Sequence, residues 1–263
     1  MIQNIKAEIL ASRKIGHDIF LLKLNAPSIT ETAQPGQFVH IRCSETTDPL
    51  LRRPISIHDI NSDGELTLIY HVKGKGTSWL SKREAGKKLD ILGPIGRGFT
   101  LTENKRVALV AGGLGSIPLF FLAKKAAEKN NEVDFFIGAQ SKGCLLRIDE
   151  LKALNINLYI ATDDGSEGFK GFITQLWEQY LKNGKVYDRA YSCGPKPQMA
   201  AFSRLAIKAS LPAEVSLEEN MACGIGACRG CVTTIQDSYG NKHYENVCTC
   251  GPVFDATTVC WGD

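Results

Sequence analysis

Cys223, Cys228, Cys231 and Cys248 fall in the order C-x4-C-x2-C-x16-C, the first three within CGIGACRGC. Four thiolates in that order suit a plant-type [2Fe-2S] site, which moves one electron at a time. Structural zinc and a four-iron cluster are the rival uses of four thiolates. Zinc sites commonly pair two CxxC knuckles, whereas here the first pair is separated by four residues and only the second by two. Gly224, Gly226 and Gly230 allow unusual backbone angles and let amide groups come close to inorganic sulfide. Cys248, Cys250 and Cys260 all lie downstream, and spacing alone leaves the fourth ligand open among them.

A second chemical stretch is Arg53-Pro54-Ile55-Ser56. A guanidinium fork binds a pyrophosphate bidentately, and a hydroxyl at Ser56 suits the edge of a flavin ring where hydride arrives. An arginine at a strand start is equally at home in solvent. The later Gly74-Lys75-Gly76-Thr77-Ser78 offers backbone and hydroxyl donors at a helix start, and the two stretches together describe a pyrophosphate clamp.

A third stretch, Ala111-Gly112-Gly113-Leu114-Gly115-Ser116, follows the apolar run VALV and precedes a helix with Pro118 near its first turn. That is the setting of a phosphate-binding glycine loop for a nicotinamide dinucleotide, although ordinary tight turns also collect glycines. Cys193-Gly194-Pro195 ends another apolar run, where open α/β sheets place ligand contacts. Cys193 fits beside a nicotinamide and serves equally as a buried structural thiol. No acid or arginine marks the adenosine ribose, so the choice between NAD and NADP stays open. His58 and His71 alternate with apolar residues and read as structural groups, and Asp163 and Asp164 read as turn residues or ligand contacts. No nucleophile, base and orienting group fall together. Hydride transfer between cofactors requires none, and no catalytic side chain is expected.

These stretches need elements to position them. Residues 3–100 carry FLLKL, QFVHIRC, ISIHDI and ELTLIYHV, separated by Pro35-Gly36, Asp63-Gly64 and Gly74-Lys75-Gly76. That grammar predicts an N-terminal antiparallel β-barrel over 1–102, with its clearest hairpin at Asp63-Gly64. Gly93-Pro94-Ile95-Gly96-Arg97-Gly98-Phe99 would close it. From 103 to 212 the runs RVALVAGG, EVDFFIGAQ, INLYIATDDG and RAYSCG read as buried parallel strands. Helices expected near 118–129, 171–181 and 197–209 complete a central α/β nucleotide domain. Residues 213–263 are rich in glycine and cysteine and too short for an apolar core of their own, so this small segment is expected to fold around its bound group.

Composition narrows the classes. The 31 Lys and Arg are spread among 28 Asp and Glu with no basic arm, which argues against a nucleic-acid partner. No run approaches the roughly 18 apolar residues of a membrane span, and residues 1–25 do not read as a secretory signal. A cytoplasmic, membrane-free protein is expected. Nine cysteines, six of them between Cys223 and Cys260, then read as ligands rather than as a disulfide framework.

The whole chain resembles the electron-transfer subunits of bacterial type B dihydroorotate dehydrogenases, within the ferredoxin-NADP reductase-like superfamily. The stretches that carry the resemblance are LRRPISI, GKGTSWL, GPIGRGF, AGGLGSIPL, ATDDGSEGFKG, YSCGPKPQM, EENMACGIGACRGC and VCTCGPVFDA, in the family's order. The resemblance implies that Arg53, Pro54, Ile55 and Ser56 line FAD, together with Tyr70, His71, Val72, Gly76 and Thr77. It implies that Gly112, Gly113, Leu114 and Gly115 receive NAD with Cys193, Gly194 and Pro195. It also points to Cys248 as the fourth ligand and to Cys250 as a non-ligand. The implied partner is an FMN-containing catalytic subunit that oxidises dihydroorotate to orotate in pyrimidine synthesis, with two copies of each chain. Electrons would leave FMN singly, cross the cluster, collect on FAD and depart to NAD+. The competing expectations are a related FAD and iron-sulfur subunit of a ferredoxin-linked transhydrogenase or sulfite reductase, and a colourless zinc-stabilised assembly subunit.

Overall fold

The computed structural model describes residues 2–262, and their packing defines two compact units. The first contains the residues up to Gly98 with Glu218–Thr233 and Glu245–Pro252; the second contains Phe99–Leu217, Thr234–Tyr244 and the residues from Val253 on.

In the first unit the elements are β1 (Gln3–Gly16), β2 (Ile19–Asn25), α1 (Pro27–Thr30), β3 (Phe38–Ile41), β4 (Arg53–Ile60), β5 (Glu65–His71), α2 (Lys75–Leu80) and β6 (Lys88–Ile95). The strands close into the expected antiparallel barrel in the order β1-β2-β5-β4-β3-β6. Strand alternation sends Leu22, Leu24, Val39, Ile55, Ile57, Leu66 and Leu68 inward, all of them buried. Leu22 lies opposite Leu68, and Val39 opposite Ile55. The same alternation turns Phe38, His40, Pro54 and Ser56 to the outside of the wall, with Phe38 opposite Ser56 and His40 opposite Pro54. The Asp63-Gly64 hairpin forms between β4 and β5. Its turn is pinned by the Asn61 carboxamide oxygen, which accepts the amides of Asp63 and Glu65 at 3.1 and 2.9 Å. Gly64 adopts φ +81 there, a left-handed angle that side chains oppose. The long β1 pairs with both β2 and β6 and so closes the barrel.

The second unit is built on β7 (Arg106–Gly112), α3 (Ser116–Glu128), β8 (Glu132–Ala139), α4 (Ile148–Lys152), β9 (Asn157–Thr162), β10 (Phe169–Lys170), α5 (Ile173–Lys182), β11 (Arg189–Cys193), α6 (Lys196–Lys208) and β12 (Ala213–Ser216). Further along the chain come β13 (Val232–Gln236) and β14 (Lys242–Asn246), which pair in a two-stranded sheet, and β15 (Val253–Asp255). The main sheet has the order β10-β9-β8-β7-β11-β12-β15. All its pairings are parallel except β12 with β15. Its strands are apolar on both sides because helices cover both faces. Phe135 packs in one core with Leu119, Leu122 and Ala123 of α3. Phe136, one residue on, meets Tyr180 of α5 at 5.3 Å between ring centroids, and Trp177 of α5 stacks on Phe202 of α6 at 4.8 Å. The predicted helices thus appear as α3, α5 and α6 at slightly shifted bounds. Part of the final segment, expected to take its fold from a bound group, instead supplies β15 as an edge strand of this sheet.

Candidate cofactor sites

The cysteine loop has neither helix nor strand between 221 and 231. Gly224 at φ +72 and Gly226 at φ +83 bend it so that its amides point at sulfur. The amides of Ile225 and Cys228 donate to Cys223 Sγ at 3.5 and 3.4 Å, that of Gly226 to Cys248 Sγ at 3.2 Å, and that of Gly230 to Cys228 Sγ at 3.4 Å. Cys228 lies beside Cys223 and Cys231 beside Cys248, and Cys223 is also near enough to act on Cys248. Burial opposes ionisation of Cys223, but the amides of Ile225 and Cys228 outweigh it and bring the thiol down to about 7. Burial, reinforced by Cys231, pushes Cys248 up to about 12.

Sulfurs ringed by N–H donors fit a group of two irons bridged by anionic sulfides. Cys250 is exposed, with its sulfur 3.8 Å from Thr249 Oγ1. The fold brings Cys248 Sγ to the loop, where it accepts the Gly226 amide.

On the barrel, β4 and α2 bring Arg53 and Gly76 together: a Cβ on Gly76 would lie 2.7 Å from Arg53 Nε. Arg53 Nη1 donates to the carbonyls of Leu51 and Arg52 at 2.7 and 3.2 Å, which aims the fork. The neighbouring Arg52 is tied instead to Asp90, at 2.6 Å between Nη2 and Oδ1. Thr77 Oγ1 accepts the amides of Lys73 and Gly74 at 3.0 and 3.3 Å and so shapes the turn before α2. Pro54, Ile55 and Ser56 follow Arg53 along β4. Tyr70, next to last in β5, is nearly fully buried and stacked on Phe20 at 6.0 Å, and its hydroxyl has no hydrogen-bond partner. Burial raises its pKa. A buried hydroxyl left unpaired is costly, and a polar flavin edge is a group that satisfies it. His71 ends the strand and Val72 follows it, both half-buried; the amide of Val72 donates to Asp18 O at 2.7 Å.

In the second unit both glycine motifs end adjacent parallel strands. Cys193 of β11 pairs with Ala111 of β7, and the strand order reverses between these two strands, which is where open α/β sheets bind ligands. Gly112, Gly113 and Leu114 lead through Gly115 into α3, and Gly113 takes φ +54. A side chain on Gly115 would strike the Cys193 carbonyl, so the two loops touch backbone to backbone. Pro195 and Gln198 crowd Gly112 in the same way, and Gln198 also meets Gly194. Cys193 itself is buried. Asp164 is a turn residue: its carboxylate accepts Ser166 N and Oγ at 2.9 and 2.6 Å and is held below the usual range by them.

Two residues escaped the sequence reading. Gln198 donates through Nε2 to Ser192 Oγ at 3.0 Å, while its buried Oε1 is unpaired beside the Gly112 and Gly194 loops. His40 lies fully buried under the cysteine loop. Burial and then the nearby Arg52 lower its pKa to about 4. Its only sequence signal was a polar residue within the apolar run QFVHIRC.

Comparison with known proteins agrees with this geometry. The family profile of the oxidoreductase FAD-binding domain matches residues 6–99, and that of the iron-sulfur cluster binding domain of dihydroorotate dehydrogenase B matches residues 218–260. Cytochrome b5 reductase from Ulva prolifera nitrate reductase shares the fold, at TM-score 0.66 and 20% identity over 80% of this chain and 94% of that one. The class is thus a flavin- and iron-sulfur-binding oxidoreductase with a ferredoxin reductase-like fold. The dihydroorotate dehydrogenase B (NAD(+)) electron transfer subunit of Desulforamulus reducens is 41% identical over 97% of both chains. That of Geobacillus thermodenitrificans is 39% identical over 98% of this chain and 99% of its own. The chain belongs to this family of electron transfer subunits. A chain of the NADH-dependent reduced ferredoxin-NADP oxidoreductase structure is also similar, at 32% identity and TM-score 0.85 over 97% of this chain and 90% of that one. Among the described residues no helix is long and apolar enough to cross a membrane.

Proposed function

We propose that this chain carries electrons from an FMN-containing dihydroorotate dehydrogenase catalytic subunit, through a [2Fe-2S] cluster and FAD, to NAD+. It does so in the cytoplasm, in an assembly with two copies of each chain. The observation that carries the reading is the ring of loop amides that donate to the sulfurs of Cys223, Cys228 and Cys248, on the same compact unit as the FAD-type barrel. In this reading 1–102 is the FAD domain, 103–212 the NAD domain and 213–263 the cluster segment.

The division of labour follows from the side chains. When bound, the cluster and FAD supply exchange between one-electron and two-electron carriers, which nicotinamide lacks. Cys223, Cys228, Cys231 and Cys248 hold iron, and the loop amides offset its negative charge. Arg53, with the Gly76-Thr77 turn, clamps the FAD pyrophosphate. Pro54, Ile55, Ser56, Tyr70, His71 and Val72 line the rest of FAD. Gly112, Gly113, Leu114 and Gly115 leave room for the nucleotide phosphates at the start of α3, and Cys193, Gly194 and Pro195 border the nicotinamide. No side chain need donate or remove a proton at carbon. Dihydroorotate is oxidised on the partner.

Anaerobic purification with the copurifying partner tests this, with FAD, FMN, iron and acid-labile sulfide quantified per chain. One FAD, two irons and two sulfides on this chain, beside an FMN-bearing partner that forms orotate with NAD+, is the expected result. A fully loaded pair that forms no orotate would overturn it. A second reading, a subunit of a ferredoxin-linked transhydrogenase, is favoured by the similarity to the reduced ferredoxin-NADP oxidoreductase chain. It would show as NADH oxidation coupled to ferredoxin without orotate. The higher identity of the Desulforamulus protein supports the first reading.

A further inference from the structure

The outer face of β3 carries a histidine that none of these roles uses. His40 has no exposed surface, and its ring nitrogens face the backbone of Arg52 and Cys223 without closing a hydrogen bond of good geometry. Packing alone would favour leucine or methionine here, since buried polar nitrogens are costly to leave unpaired. On one side its neighbour across the ladder is Pro54, in the strand that begins with Arg53. On the other side lies the cysteine loop: a Cβ on Gly224 would sit 2.5 Å from His40 Nδ1, and the backbone of Cys223 reaches the ring. Gly224, like Gly226, is left-handed in that turn, and the amides of Ile225 and Gly226 are donors to Cys223 Sγ and Cys248 Sγ. The turn cannot move inward without striking the imidazole, nor outward without opening a void beneath it.

We infer that His40 is a positioning residue for the cluster: its ring sets the Cys223–Gly226 turn against the outer face of β3 and so aims the Ile225 and Gly226 amides at the ligand sulfurs. The inference rests on the [2Fe-2S] reading and assigns no ligation to His40. Amide donors stabilise the extra negative charge that one-electron reduction places on the cluster, so they raise its reduction potential. Loosening the turn lowers it.

The test uses the partnered complex, loaded with FAD and cluster, in a redox titration followed by the paramagnetic signal of the reduced cluster. In His40→Leu the ratio of oxidised to reduced cluster at a given potential should rise about tenfold, a fall of about 59 mV for one electron. His40→Gln, which restores a polar contact of similar reach, should recover most of the shift, and FAD content should stay unchanged in both. An unmoved potential in His40→Leu overturns the inference. Should that variant lose its iron, the wild type labelled with 15N-histidine decides. Pulsed EPR of its reduced cluster should show a weak histidine nitrogen coupling. Absence of the coupling, or its persistence in an iron-bearing His40→Gln, overturns the inference. A wild-type complex without iron and sulfide would overturn the cluster reading, and this inference with it, whereas a normal cluster with an unmoved potential overturns this inference alone.

Discussion

The cysteine loop and the nucleotide loops are both rich in glycine, yet different forces hold them. The nucleotide loops end β7 and β11, whose flanking strands and helices bury Leu109, Phe135, Trp177 and Phe202, so their shape is set by a core that exists without a ligand. Residues 221–231 have no regular structure, and their hydrogen bonds run largely to sulfur, with Cys228 and Ile225 exposed. The loops after β7 and β11 are preformed by packing. The cysteine loop lacks that support and would be completed by a bound group, as for metal sites whose binding energy is part of the folding energy. The lesson is that glycine serves two ends: close approach of one backbone to another at Gly115, and inward aim of amides at Gly224.

The comparison breaks or sharpens under substitution. The largest effect is expected for Cys248→Ser, which removes one sulfur of the buried pair and should abolish the cluster, while Cys250→Ser keeps full iron and sulfide. Iron and acid-labile sulfide per chain measure both, and iron loss in the Cys250 variant would move the fourth ligand. Trp177→Ala removes a fully buried ring and should cost about 3–5 kcal/mol, read by urea denaturation of the α/β unit. Iron content of the folded variant should be unchanged; a parallel loss would show that the two sites are not held independently. Gly115→Ala pushes a methyl into the Cys193 backbone. Overpacking of about 1–3 kcal/mol predicts NAD(H) affinity lowered about tenfold or more, measured by titration calorimetry, with FAD and iron retained.

The smallest effect concerns Glu132, whose carboxylate accepts Arg106 Nε at 2.8 Å and lies 3.3 Å from Lys185 Nζ. Its hydrogen bond from Arg106 holds its pKa below the ordinary value. A depressed folded pKa means that its contribution is complete above the ordinary carboxylate range and is lost as pH falls through the lowered value. The pair is over two-fifths exposed, so Glu132→Gln should cost under about 1 kcal/mol after solvent screening. The cost should shrink in acid denaturation curves as pH falls.

Much of this was legible in the linear chain because the signals are local. Asp63-Gly64 predicts its hairpin since few residues tolerate the turn's angles. The runs VALV and DFFI predict buried parallel strands since only a sheet covered on both faces can hide them. The cysteine spacing survives as a loop because the ligands nearly all come from one short stretch. The residues that were not legible act across long separations. Gln198 is an ordinary helical residue until α6 sets it beside Gly112 and Gly194, and β15 reads as a tail until it pairs with β12.

The sequence by itself made legible the antiparallel barrel, the parallel α/β rhythm and the order C-x4-C-x2-C-x16-C, because periodicity and spacing are properties of neighbours in the chain; the family was read from the resemblance of its motifs. The tertiary structure alone decided that His40 lies under the turn at Gly224 and that Gln198 lies beside Gly112 and Gly194, and it set Cys248 Sγ against the Gly226 amide and Arg53 against Gly76. Each of these is a contact between segments distant in sequence, and only the folded chain brings the segments within hydrogen-bonding or van der Waals reach.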